Sequence, residues 1–298
     1  MLEKITEIKT EEKELLKMIV FFDLFNFPLT LLELKKYYRN HITLNALLIF
    51  LDNLLKIGEI QEKNGFYFLK ERENIINVRR ERYNYSLRKI KIARKFAKVF
   101  SYFPFVLVIY LVNSIGKYNL RNSSDIDFFI ITKNKRIWLS RFFCAGLAKI
   151  LHKRPNKKTK KDKICLSFYL SENNLDLSKL KLSEADPYFD YWEKNLFLLL
   201  SKDEQVNNNF LIKNNLTKNH NDTNKKEDRK NLILDFLESL SKKFQLKIMP
   251  QELLLANDSD SKGVIIKDDI IKLYLKDARL EIKKKYEQKI RQLLSAYN

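Results

Sequence analysis

A mixed α/β (α+β) fold with a mixed sheet is the expectation for this chain, and three observations carry it. Two apolar runs of strand length, Phe105 to Val112 and Asp125 to Thr132, lie close together near the middle. On either side of them apolar residues recur at helical spacing, which argues helices packed around those strands. Glycine and proline are scarce, five of each in 298 residues, which disfavours a sandwich of many short strands and turns.

The first elements follow from local signals. Residues 11–25 alternate charged and apolar positions at helical spacing, and Phe27-Pro28-Leu29 breaks the pattern. Thr30 with Glu33 reads as a capping box that opens a second helix near Leu31. Residues 43–56 form a third helix, ended by Gly58. The segment EIQEKNGFYFLK follows, with Asn64-Gly65 at its centre, the strongest short hairpin signal. Three helices and a hairpin are the order of a winged helix-turn-helix, assigned here to 1–72.

A core with a basic leading helix is expected over 73–200. The leading helix, 71–101, carries Arg79, Arg80, Arg82, Arg88, Lys91, Arg94 and Lys98, and Pro104 ends it. After the two central strands, 135–151 reads as a helix with Trp138, Phe142, Leu147 and Ile150 on one buried face. A lysine-rich loop (153–163), a strand (164–170) and an amphipathic helix (Asp186 to Leu200) complete the core. Residues 201–230 read as a polar, poorly ordered loop, rich in asparagine and lysine. A helical C-terminal extension is expected over 231–298, with helices at about 231–247 and 267–296.

Lys and Arg number 57 against 37 Asp and Glu, a formal charge of +20. That balance suits an anionic partner. The accompanying wealth of lysine, asparagine and isoleucine is also what an AT-rich genome produces. Cys144 and Cys165 are the only cysteines, and His41, His152 and His220 are scattered, so neither a disulfide framework nor a cysteine zinc site is indicated. The charged amphipathic N-terminus is unlike a signal peptide, and the run Tyr102 to Val112 is too short to span a bilayer. A cytoplasmic protein without membrane contact is expected.

The richest stretch chemically is Asn113-Ser114-Ile115-Gly116, followed by Ser124-Asp125-Ile126-Asp127-Phe128. Alternate residues of a strand share a face, so Asp125 and Asp127 converge while Ile126 points away. Converging carboxylates repel unless a cation neutralises them. Magnesium, or manganese in its place, is the expected ion. Ser124 precedes the pair, and Lys117, Arg121, Arg136 and Arg141 are nearby cations available to a triphosphate.

A small-residue turn after one strand and a D-x-D on the next resemble the nucleotidyltransferase domain of the DNA polymerase beta superfamily. SSDIDFFIITKNKRIWLSRFF, FPFVLVIYLVNSIG and ICLSFYLSE look like a bacterial and archaeal group within it. The opening FFDLFNFPLTLLEL and the late DDIIKLYLKDARLEIKKKY extend the similarity over nearly the whole chain. Members carry a winged helix before the core and a helical tail after it. The resemblance implies magnesium-dependent transfer of a nucleoside monophosphate from a nucleoside triphosphate to an acceptor, RNA or protein. It makes Asp125 and Asp127 the catalytic metal ligands and Asn113, Ser114 and Gly116 the phosphate turn.

The chain departs from that family at two points. Asn113 stands where the family has glycine. The strand at 164–170 should supply a third carboxylate, yet neither Cys165, Ser167 and Tyr169 nor Ile164, Leu166 and Phe168 includes an acid. Asp162 and Glu172 only flank it. These departures favour an alternative: a non-catalytic nucleotide sensor or nucleic-acid-binding regulator that kept the fold. A transferase acting on tRNA is a third reading, because Arg88, Lys91, Arg94 and Lys95 on the basic helix and Lys157 and Lys158 in the loop could contact a polyanion. The third helix lacks an arginine for reading bases, so the winged helix is expected to be structural or to dock a protein instead.

Overall fold

The computed structural model describes residues 9–38, 42–112, 115–156, 158–217, 231–258 and 262–295. Among these residues it is a mixed α/β structure with ten α-helices, a three-stranded sheet and a six-stranded sheet. Two compact units divide the chain. One comprises Met1–Asn84, Ile115–Asn119 and Ala278–Asn298, the other Tyr85–Ser114 and Leu120–Asp277.

The first unit runs α1 (Thr10–Asp23), β1 (Leu29–Thr30), α2 (Leu31–Tyr37), α3 (Leu44–Lys56), β2 (Ile60–Lys63) and β3 (Phe66–Leu69). Its strands pair antiparallel in the order β1-β3-β2. The capping box at α2 forms: Glu33 N–H donates to Thr30 Oγ1 at 3.4 Å, and Thr30 N–H donates to Glu33 Oε2 at 2.9 Å. At the hairpin tip Asn64 and Gly65 both take positive φ, 56° and 78°, the pair of angles a type I′ turn needs. Phe21, Phe22, Phe27 and Tyr37 fill the core. The last helix, α10 (Arg279–Leu294), belongs here too: Tyr286 meets Phe21 edge-on at 5.6 Å, and Lys289 pairs with Asp23.

A 26-residue helix, α4 (Ile75–Phe100), runs from the first unit into the second. The second unit then contains β4 (Val106–Leu111), β5 (Ile126–Thr132), α5 (Ile137–Ile150), β6 (Ile164–Ser171), α6 (Pro187–Glu193), β7 (Phe197–Ser201), α7 (Glu204–Lys213), α8 (Leu232–Ile248), α9 (Gln251–Asp258), β8 (Val264–Ile266) and β9 (Ile270–Leu273). The sheet order is β7-β4-β5-β6-β9-β8. Among the described strands only β5 and β6 pair in parallel, and α5 supplies the crossover such a pair requires. Every residue of β5 is buried, as expected for a strand covered on both faces.

Five expectations from the sequence change here. The helix over Asp186 to Leu200 is instead α6 followed by strand β7. Asp186 caps α6 by accepting from Phe189 N–H at 3.0 Å, and Phe197 onward pairs with β4. Residues 204–213 are helix rather than loop, because Asp203 caps them and Val206 and Phe210 bury against the sheet. The helix expected over 267–296 begins only at Arg279, since 264–273 form a hairpin that β6 accepts as neighbours. Residues 231–298 are accordingly not one helical extension: 231–277 belong to the second unit and 278–298 to the first. On α5, Trp138 is buried as expected, but Phe142 and Ile150 are exposed. No helix among the described residues is long and apolar enough to cross a membrane.

Candidate functional site

Asp125 sits one residue before β5 and Asp127 one residue inside it. In the parallel ladder Asp127 stands opposite Cys165 of β6. One ligand atom from each of Asp125, Asp127 and Cys165 lies within 4.8 Å of the others. Asp127 is buried, and its two companions are half-buried. The Cys165 sulfur also lies 2.9 Å from Ser167 Oγ.

A register shift in β6 follows this grouping. From the pair Asp127–Cys165 to the pair Phe129–Phe168, β5 advances two residues and β6 three. The extra residue is a bulge, which breaks the alternation of side chains along the strand. Strict alternation would place Cys165, Ser167 and Tyr169 together. Instead Phe168 joins the Asp127 side and stacks on Phe129 at 4.5 Å. Tyr169 turns to the α5 side, where its buried hydroxyl lies near Cys144, Arg141 and Arg154.

Electrostatics within the cluster follow from burial. Burial, then the charge of Asp127 and a hydrogen bond to it, push the Cys165 thiol well above its usual range, with Asp125 adding to the shift. Tyr274, just past β9, is raised by burial first and then by the charges of Asp127, Cys165, Tyr188 and Asp125. Two carboxylates and a thiol are a donor set for a divalent cation. The sulfur is a soft ligand, suited to zinc or cobalt, whereas magnesium prefers an all-oxygen shell. A thiol that coordinates a cation gives up its proton to do so.

Lys89 holds the approach to this site and had no distinguishing mark in the sequence. It lies on the buried face of α4 with Ser86, Ala93 and Ala97, and its side chain is 0 % exposed. Its ammonium donates to Ser124 O at 2.6 Å and to Asp162 Oδ1 at 2.7 Å. Arg88 reaches the same carboxylate at 3.2 Å and Asn122 Oδ1 at 2.8 Å. Burial alone would raise the Asp162 carboxyl, but the bonds and charges of Lys89 and Arg88 hold it below the usual range. Lys89 is lowered by burial, which outweighs Asp162 and Asp125. The loop before Asp125 is thus anchored to α4.

The other candidate residues are distributed as follows. Asn113, Ser114 and Lys157 lie outside the described residues. Gly116 belongs to the first unit; its φ is +87°, and a Cβ there would meet the Phe27 ring at 2.8 Å, so packing explains this glycine. The Ser124 hydroxyl donates to Arg121 O at 3.0 Å within its own turn. Arg136 follows the far end of β5, roughly 16 Å along the strand from Asp127. There it is buried and pairs with Asp235 of α8 at 2.7 Å. Arg141 donates to Gln245 at 2.6 Å on the α5 side of the sheet. Arg136, just before α5, and Arg141, on it, thus both bond to side chains of α8.

Asp162 is committed to Lys89, and Glu172 accepts from Asn134 N–H at 2.9 Å at the far strand end. Neither flanking acid joins the cluster. Lys91, Arg94, Lys95 and Lys158 are exposed, with Arg94 lying 5.9 Å from the Phe197 ring. Comparison of the chain with family models, with curated proteins and with solved structures finds no match.

Proposed function

We propose that the chain is a metal-dependent nucleotidyltransferase of the DNA polymerase beta type, moving a nucleoside monophosphate from a nucleoside triphosphate to an acceptor. The observation that carries this reading is the grouping of Asp125 and Asp127 at the start of a central strand, with a third donor opposite. Asp125, Asp127 and Cys165 would hold the cation. A divalent ion bound there supplies charge neutralisation and polarisation of the α-phosphoryl group. Lys89 keeps the loop that carries Asp125 in place through Ser124 O and Asp162. Ser114, which the resemblance makes a phosphate ligand, follows β4 by three residues. The acceptor oxygen bonds to the α-phosphorus as the bond to the leaving pyrophosphate breaks.

Magnesium is the ion the family resemblance implies, and manganese the alternative. The thiol of Cys165 in the third position favours a softer ion, and it also favours a second reading: a nucleotide sensor that binds without turnover. Labelled nucleoside triphosphates with total RNA and magnesium, manganese, zinc or cobalt separate the two. Transfer by the wild type that Asp127→Ala abolishes supports the enzyme. Metal-dependent nucleotide binding without transfer supports the sensor, and neither binding nor transfer overturns both.

The first unit fits a winged helix that docks protein. On α3, Leu44, Leu48 and Ile49 are exposed, and Asp52 pairs with Lys56 at 2.6 Å, which leaves little to read a base edge. A polyanion such as tRNA would meet Lys91, Arg94 and Lys95 on α4. A steep fall of tRNA affinity with salt is the signature of that contact.

A further inference from the structure

The helix α8 is inside out. Its polar face packs inward and its apolar face is exposed. Glu238 accepts from the Trp138 and Leu139 amides at the start of α5, at 2.8 and 2.9 Å. Ser241 and Gln245 both donate to Trp138 O, at 3.0 and 2.8 Å. Asp235 pairs with Arg136 and Lys242 with Asp268, each at 2.7 Å. A fixed polar network therefore sets which face of α8 looks out.

The outward face carries Ile233, Phe236, Leu240, Phe244 and Ile248, all exposed. Leu232, which begins the helix, is barest at 82 % exposed, followed by Ile233 at 74 %, Phe236 at 66 % and Ile248 at 61 %. The row continues onto α5, where Phe142 meets Phe244 edge-on at 6.0 Å. Ile150 of α5 is exposed as well. Solvent-facing apolar rows of this extent mark interaction surfaces.

We propose that this face is the interface of a homodimer in which α8 pairs antiparallel with α8 of a second copy. The order of the side chains is the main argument. Leu232, Phe236, Leu240, Phe244 and Ile248 recur every four residues and centre on Leu240. A two-fold axis at Leu240 sets Phe236 against Phe244, Leu232 against Ile248 and Leu240 against its own copy, the self-complementarity an isologous contact requires. The row is about 24 Å long at the helical rise. With Phe142 and Ile150 it presents roughly 900 Å² of apolar side chain, taking about 200 Å² for a large side chain. A standard interface buries about 800 Å² per partner, so the area suffices. The segments outside the described residues nearest either chain end or α8 offer little apolar surface of their own. Residues 218–230, just before α8, contain no apolar side chain, and 1–8 contain only Met1, Leu2, Ile5 and Ile8.

Sedimentation velocity of the full chain at about 5–100 µM tests this, with circular dichroism as a fold control. The wild type is expected at twice the 35.8 kDa chain mass. Phe236→Glu with Leu240→Glu is expected at the single-chain mass with an unchanged spectrum, since both side chains face solvent in the isolated chain. Leu240→Cys should cross-link to its own copy through a short bismaleimide, against the unaltered protein as control. A monomeric wild type overturns the proposal: if it binds a hydrophobic dye the face awaits another partner, and if it does not the chain covers the face itself. A dimer that tolerates both glutamate substitutions, and in which Leu240→Cys gives no cross-link, also overturns it, because association then uses a different surface.

Discussion

Cys165 stands directly opposite Asp127 in the parallel β5–β6 ladder, and its sulfur completes a three-donor cluster with Asp125. A thiol among the donors would draw a bound cation toward zinc or cobalt, and that preference is directly measurable.

Cys165→Ser is expected to weaken zinc and cobalt binding by about 100-fold or more, beyond the losses typical of second-sphere changes. Cobalt bound to the wild type should show a thiolate-to-metal absorption band, which the serine variant lacks. Cys165→Asp should shift the preference toward magnesium or manganese. Equal affinities in all three proteins, by competition titration, would remove Cys165 from the site.

Lys89→Ala should destabilise the second unit by about 3 kcal/mol, as expected when one partner of a buried ion pair is removed. The measurement is the urea midpoint at constant m-value. Asp162→Asn should act in the same direction, since it removes the negative charge that faces the buried ammonium. The double variant should cost less than the sum of the two.

Gly116→Ala should cost about 1–3 kcal/mol, because a side chain would be forced into the left-handed region and against the Phe27 ring. Phe27→Leu, introduced together with it, should recover the steric part and leave the backbone part. Additive losses in the denaturation midpoints would show that the two residues do not meet.

Stability should decline as pH rises from about 4.5 to 7. Burial, reinforced by Asp190 and opposed by Lys181 and Lys194, raises the Glu193 carboxyl to about 7. Below pH 4.5 the group is protonated in folded and unfolded chains alike. Between 4.5 and 7 the unfolded chain releases the proton while the folded chain retains it, so the contribution to stability is lost as pH passes through the folded value. Melting temperatures of Glu193→Gln across that window should fall less steeply than those of the wild type.

What was readable beforehand was local. Thr30 with Glu33, Asn64-Gly65 and Pro104 act through their own few residues, and each ends or begins an element where expected. The D-x-D placed its carboxylates on one face for the same reason, since alternation is a property of the strand itself. Past the bulge in β6 alternation fails, and only the paired strand reveals that Phe168, not Tyr169, follows Cys165 on the site side.

The sequence alone determined the mixed helix-and-strand character, the central strands and the carboxylate pair, because periodicity and turn chemistry act over a few residues. Tertiary structure alone decided the rest. Phe197 to Ser201 and 264–273 become strands only because β4 and β6 offer them edges to pair with. Lys89 among many lysines acquires a role only because α4 buries it against Ser124 and Asp162. The third donor beside Asp125 and Asp127 is likewise a product of pairing. A parallel strand 38 positions later in sequence brings Cys165 to Asp127, and no local pattern encodes that register.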